Sequence, residues 1–243
     1  MTKLASGIIM ALTLILLNIS TVQADTSNYK VELLIFSQQT SATLNDEVWP
    51  PIDSIPQLPS RALGYYQANQ QNGFFTRLPK SSLSLSAKQA SLRRSSLYRV
   101  LFHEAWIQPI SGIKNQYRLR INGGDILDNG LYELDGYISI DKGRYLHFRN
   151  DLFHSRRLSP SDAQLLLKPG QSATAAPVTT TASSASSTLT TDSSNGNRYL
   201  TQTTIPDFLT VEMKSARRMP RDELHYIDHP LFGILVRITR ANP

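Results

Sequence analysis

The chain has 243 residues, no cysteine and a formal net charge of +6. It is long enough for one sizeable core, and without thiols that core must hold the fold with no disulfide. The charge alone fits a merely solvated basic surface as well as it fits an anionic partner.

The first stretch, MTKLASGIIMALTLILLNISTVQA, has Lys3 as a positive start and an apolar run over Ile8–Leu17. That run suits the middle of an export signal and is short for a membrane-spanning helix. Val22-Gln23-Ala24 supplies small residues for cleavage, so residues 1–24 are predicted to be a signal peptide and Asp25 the mature start. The alternative is an uncleaved anchor. No cysteine follows to carry a lipid, and no second long apolar run follows, so no transmembrane segment is expected after cleavage. Removing Lys3 leaves the mature chain at +5. A basic exported protein meets anionic lipid, lipopolysaccharide or the carboxylates of wall peptides, and no nucleic acid is expected.

Tyr29–Phe36 alternates with Tyr29, Val31, Leu33 and Ile35 on one face, yet Leu34 and Phe36 are apolar too, so this strand is covered on both sides at its end. Ser37–Pro59 is rich in proline and reads as an irregular segment draped over the sheet, with Trp49 either the plug that pins it, the favoured reading, or an exposed ligand platform. Gly64-Tyr65-Tyr66 and Gly73-Phe74-Phe75 are aromatic pairs without a clear period. Ser86 and Gln89 fit a capping box, predicting a helix from Ala87 to Ser96 with Ala90, Leu92 and the flanking Leu97 inward. Leu97–Ile107 is the second clear strand, ended by Pro109, and Tyr117–Ile121 is a third with Arg118 and Arg120 outward. Asn122-Gly123-Gly124-Asp125 reads as a turn.

The hub is Leu131–Phe153, where two alternating arms flank Asp141-Lys142-Gly143 as an antiparallel hairpin. Tyr145, His147 and Arg149 share one face of its second arm. A lone hairpin is marginal in water and needs further strands. Leu158–Leu167 offers Ser159-Pro160 as a helix start. The Ser/Thr-rich stretch 169–197 has almost no charge or large apolar residue, which predicts a disordered insertion. Val211–Met219 and Gly233–Arg240 follow as strands that are too short a piece to form a core alone. The expected fold is α+β: a mostly antiparallel sheet of about seven strands with one main helix. Residues 25–168 and 198–243 would form one discontinuous domain.

Chemistry is sparse. His225 and His229 are four apart, but Asp228-His229-Pro230 reads as a turn and no third ligand stands at a recognisable spacing, so no metal site is assigned. His103-Glu104 lacks the second histidine of a zinc-protease helix. No nucleophile elbow and no phosphate loop is present, and no cofactor, catalytic residue or enzymatic activity is predicted. Arg217 and Arg218, with Lys214 and Arg221 nearby, form the densest basic group. Arginine forks match carboxylates, but adjacent strand residues face opposite sides, so only one of the pair lies on a given surface. The candidate binding residues are Arg217 or Arg218, with Trp106 or Tyr226 nearby. The bland alternative is a structural cluster paired with Asp222 and Glu223.

Three stretches together resemble a known family. Leu101–Pro109, LFHEAWIQP, is similar to a strand motif of the CsiV peptidoglycan-binding family. Leu134–Ile140 with Arg144-Tyr145-Leu146-His147 resembles its hairpin. Arg217-Arg218-Met219 with Glu223–Gly233, ELHYIDHPLFG, resembles its C-terminal motif. The resemblance implies a periplasmic, non-enzymatic protein of a Gram-negative envelope that binds peptidoglycan and supports wall growth. The expected protein partner is a penicillin-binding protein or its lipoprotein activator. The rival is a module that docks on such an enzyme without touching glycan.

Overall fold

The computed structural model describes residues 27–166, apart from 43, 45–46, 53, 64–73 and 116, and residues 207–241, with the backbone of 188–189 and 202–203. The segment 1–24 expected to be a signal peptide, the first aromatic pair and the bulk of the Ser/Thr-rich stretch therefore lie outside the described residues.

Among the described residues, ten strands form two sheets. In chain order they are β1 (Ser27–Gln38), β2 (Arg61–Ala62), β3 (Thr76–Arg77), β4 (Tyr98–Ile110), β5 (Arg118–Ile126), β6 (Tyr132–Lys142), β7 (Leu146–Arg157), β10 (Phe208–Met219), β11 (Leu224–Asp228) and β12 (Phe232–Arg240). A separate two-stranded pair is made by β8 (Thr188–Leu189) and β9 (Gln202–Thr203). The first sheet has the order β11-β12-β1-β4-β3 and the second β10-β7-β6-β5-β2. All pairings are antiparallel except β2 with β5. The α+β expectation holds, but the seven expected strands become ten and divide between two sheets. The chain on either side of the insertion joins both sheets, since β10 pairs with β7 and β12 with β1.

The reason for two layers is in the alternation. Tyr29, Val31, Leu33 and Ile35 of β1 pack in one cluster with Ile138, Ile140, Phe148 and Leu152 of the β6–β7 hairpin. Each sheet thus turns one apolar face to the other, as a sandwich requires. β1 lies near the middle of its sheet, and its other face is buried as well: Glu32, Leu34 and Phe36 are all buried. Glu32 there accepts hydrogen bonds from Ser84 N–H (2.8 Å), Ser84 Oγ (2.5 Å) and Leu85 N–H (2.8 Å), and lies 3.0 Å from His103 Nε2.

That carboxylate fixes the turn leading into α1 (Ser86–Arg94). The capping box does not form. The cap residue is Leu85 and no side chain bonds at the cap, while Ser86 Oγ donates to Leu83 O instead. Nor does the helix bury the residues expected: Ala90 is exposed, Leu97 is 57% exposed, and Leu85 before the helix is the buried anchor. The second helix, α2 (Pro160–Leu166), follows the rule, with Ser159 Oγ accepting the Asp162 N–H at 3.1 Å. Trp49 is a plug. Its Nε1 donates to Leu44 O at 3.0 Å and its ring tilts against His229 at 5.6 Å.

Two turn readings are corrected. Asn122–Asp125 lies inside β5, where the register shifts between Gly123 and Ile126. Gly124 takes φ +70°, and a Cβ on Gly123 would stand 2.3 Å from Leu101 O of the other sheet. The glycines serve a bulge and a close inter-sheet approach, not a chain reversal. Pro109 likewise does not end β4, which pairs on through Ile110. β3 pairs only with Trp106 and Ile107, so at Pro109 one flank of β4 is an edge among the described residues, where proline is tolerated.

Candidate functional site

The outer face of the second sheet is a grid that its registers define. Arg118 of β5 lies beside Ser139 of β6, which lies beside Arg149 of β7 and then Ala216 of β10. The next row is Arg120, Tyr137, Asp151 and Lys214. Rows on one face are two residues apart, about 7 Å, and strands about 4.8 Å apart. Ser139 and Ala216 are small, and their long neighbours stand around them. This leaves a groove of about 480 Å³ lined by Arg118, Tyr137, Ser139, Arg149, Asp151 and Lys214, among others.

One wall of the groove is the proline-rich segment. Leu58 N–H donates to Tyr137 Oη at 3.1 Å, and Arg118 Nη1 donates to Pro59 O at 3.2 Å. The segment draped over this face is therefore held by residues of the sheet beneath it. A second anchor is Ser139 Oγ, which donates to Asn115 Oδ1 at 2.6 Å in the β4–β5 loop.

The cations of this face are held up by acids set low in the sheet. Arg149 Nε donates to Asp141 Oδ1 at 2.7 Å, and Arg120 makes two bonds to Asp135 at 3.0 and 2.7 Å. Asp141 and Asp135 are buried whereas the two arginines keep solvent contact. Lys214 faces two carboxylates, Asp151 at 3.3 Å and Glu212 at 3.8 Å. Burial first, and then neighbouring Asp151, hold the Glu212 carboxyl above its usual range. Arg118 makes no ion pair among the described residues.

Of the residues singled out from sequence, Arg218 belongs to this face. It follows Ala216 along β10, pairs with His147, and its guanidinium stacks 3.4 Å over the Tyr145 ring. Arg217 is exposed but has the opposite parity, shared with Met213 and Met219. Trp106 is a correction. It is fully buried in the core, and its Nε1 donates to Gln108 Oε1 at 2.7 Å, so it presents nothing to a surface polymer.

Tyr226 is on β11, in the other sheet. Its ring lies nearly parallel to Phe36 at 6.3 Å, above Gly233, and its hydroxyl donates to Asp228 at 2.5 Å. The arginines and Tyr226 are not brought together. Leu224–Asp228 is itself a strand, and His229 begins the turn, where its Nδ1 accepts the Leu231 N–H at 3.2 Å.

Sequence reasoning missed Ser139, Asp151 and Ala216. The outward alternation of Arg118 and of Tyr145, His147 and Arg149 was a partial signal. Which strand stands beside which was not in the pattern. One arrangement elsewhere has the residue types of a nucleophile set, Ser84, Glu32 and His103. There the serine donates to the carboxylate, and the imidazole is not placed to take its proton.

A family model described as "Peptidoglycan-binding protein, CsiV" matches residues 7–241. No curated protein and no solved structure matches the chain significantly.

Proposed function

The chain belongs to the CsiV peptidoglycan-binding family, and on that premise we propose that it is a periplasmic, non-enzymatic protein that holds peptidoglycan on the outer face of its second sheet. The observation that carries this is the groove over Ser139 and Ala216, rimmed by Arg118, Arg149 and Lys214 and continued by Arg218 on Tyr145. Wall peptides carry carboxylates, and arginine forks already held in place, Arg149 by the buried Asp141, Arg118 by Pro59 O and Arg218 by the Tyr145 ring, meet them with little loss of side-chain freedom. Arg218, not Arg217, is the member of the basic pair on this surface.

The family supports peptidoglycan as the ligand. The export reading of residues 1–24 and a role in wall synthesis belong to this proposal. Among the described residues no helix is long and apolar enough to cross a membrane. Co-sedimentation of the protein with purified sacculi across a salt series tests the reading. Retention at low salt should fall severalfold on moving to roughly 0.5 M, because exposed charge pairs are screened. It should also fall in an Arg118→Gln, Arg218→Gln double variant. No retention at any salt would remove the proposal.

A second reading has its own observation. The outer face of the first sheet exposes Tyr98 and Tyr226 on either side of Phe36, with Leu224 two residues before Tyr226 along β11 also exposed. Clustered exposed apolar side chains mark interaction surfaces. On this reading the face docks on a wall synthase, a penicillin-binding protein, or that enzyme's lipoprotein activator. It predicts co-purification with such a partner that is lost in Tyr226→Ala, independent of sacculus retention.

A further inference from the structure

The groove is electrically two-ended. At one end, Arg118 has no acidic partner among the described residues, and Arg149 stands one strand beyond Ser139 with its charge matched by Asp141. That end has cation in excess. At the other end, a single ammonium, Lys214, serves both Asp151 and Glu212. Asp151 Oδ1 is screened from solvent and has no hydrogen-bond partner among the described residues. That end has anion in excess, and the raised Glu212 carboxyl is a further sign of the crowding.

The groove also lacks what a sugar needs. Tyr137, the aromatic residue among the described residues of its lining, is only 3% exposed and is covered where Leu58 bonds its hydroxyl. It offers no open ring face on which the C–H side of a pyranose stacks. The volume, about 480 Å³, suits a few amino-acid residues.

We propose that this groove reads a zwitterionic peptide, with a carboxylate over Ser139 between Arg118 and Arg149 and an ammonium on Asp151. The two positions are roughly 8 Å apart, one strand spacing across and two residues along. In peptidoglycan the matching element is the diamino acid of the peptide branch where it ends the peptide: the ammonium at the tip of its side chain and the carboxylate at its main-chain end are separated by the length of that side chain, which spans this distance, whereas the carboxylate on the ammonium's own carbon does not. The ligand of the groove is the peptide and not the sugar chain. This rests on the peptidoglycan reading above for the source of the peptide, while the charge pattern rests on the groove alone.

The test uses the full mature chain and four soluble probes, followed by calorimetric titration. The first is the tripeptide alanyl-γ-glutamyl-diaminopimelate. The second is the same peptide with its side-chain amine acetylated, the third has its terminal carboxylates amidated, and the fourth is a tetramer of N-acetylglucosamine. The unmodified peptide should bind, and each blocked form should bind at least tenfold more weakly. The sugar tetramer should not compete. In Arg118→Gln, amidation should no longer matter, and in Asp151→Asn, acetylation should no longer matter. Equal binding of the acetylated and free peptides, or competition by the tetramer, overturns the inference. Should Asp151→Asn fail to fold, the acetylated peptide on the unaltered protein still decides it. Sacculus retention without peptide binding defeats this inference alone, and loss of sacculus retention defeats the broader proposal.

Discussion

Replacing Glu32 by glutamine should cost about 3 kcal/mol of stability at neutral pH, by the linkage between acidity and folding. The Glu32 side chain is 2% exposed and lies across β1 from the turn into α1. Burial opposes its charge, but His103, Ser84 and Leu85 outweigh this and hold its pKa at about 2, against 4.5 for a free glutamate. At about 1.4 kcal/mol per pH unit, that difference is worth about 3 kcal/mol. A second route agrees. Four polar contacts to a carboxylate, each worth about 1.5–3 kcal/mol, are set against several kcal/mol for burying the charge. Glutamine keeps one acceptor oxygen and turns an amide N–H₂ toward donors. The sign follows from the depressed value: the stabilisation is fully present above pH 4.5 and is lost as pH falls toward 2. Urea denaturation of both proteins, followed by tryptophan fluorescence at pH 7, 5 and 3, measures it. The gap should persist at pH 5 and fall to about half by pH 3. A variant within about 1 kcal/mol of the parent at pH 7, or a gap unchanged at pH 3, would refute the reasoning.

Three further outcomes are expected. His154 is buried and its pKa is pushed down to about 4, mainly by burial, while its Nδ1 lies 2.7 Å from Glu133 O. The unfolded chain takes up that proton first, so stability should fall between pH 6.5 and 4. His154→Asn, which keeps a donor for Glu133 O, should flatten that part of the curve; His229, also pushed down to about 4 by burial, accounts for what slope remains. Gly136 has φ +134°, and a Cβ there would stand 2.3 Å from Asp151 O and 2.8 Å from Leu152 Cα. Both are backbone atoms that cannot swing aside, so Gly136→Ala should lose about 3 kcal/mol or more in the same denaturation assay. Ala216→Leu would fill the groove from an exposed position and should leave stability within about 0.5 kcal/mol while lowering sacculus retention severalfold.

Local pattern carried the long strands. Alternation in Tyr29–Phe36 and in the 131–153 hairpin marks apolar faces, and those faces do meet in one core. Ser159 before Pro160 forms its cap because all the atoms involved lie within one turn. Ser86 does not, because a buried carboxylate from β1, more than fifty residues earlier, organises the turn before α1. Glycines at 123 and 124 look like a reversal in sequence. Their reason is the Leu101 carbonyl, which belongs to the other sheet.

By itself the sequence determined which long segments alternate, which of their faces are apolar, and that Arg118 and Arg120 point away from the core. It could not say that Arg118, Ser139, Arg149 and Ala216 form one row, since that depends on strand order and register among four segments spread over a hundred residues. Nor could it tell Trp106, sealed in the core, from Tyr226, lying open on a sheet face. A side chain's parity is a local property of the backbone, but whether a second layer covers that side is settled only when the two sheets pack.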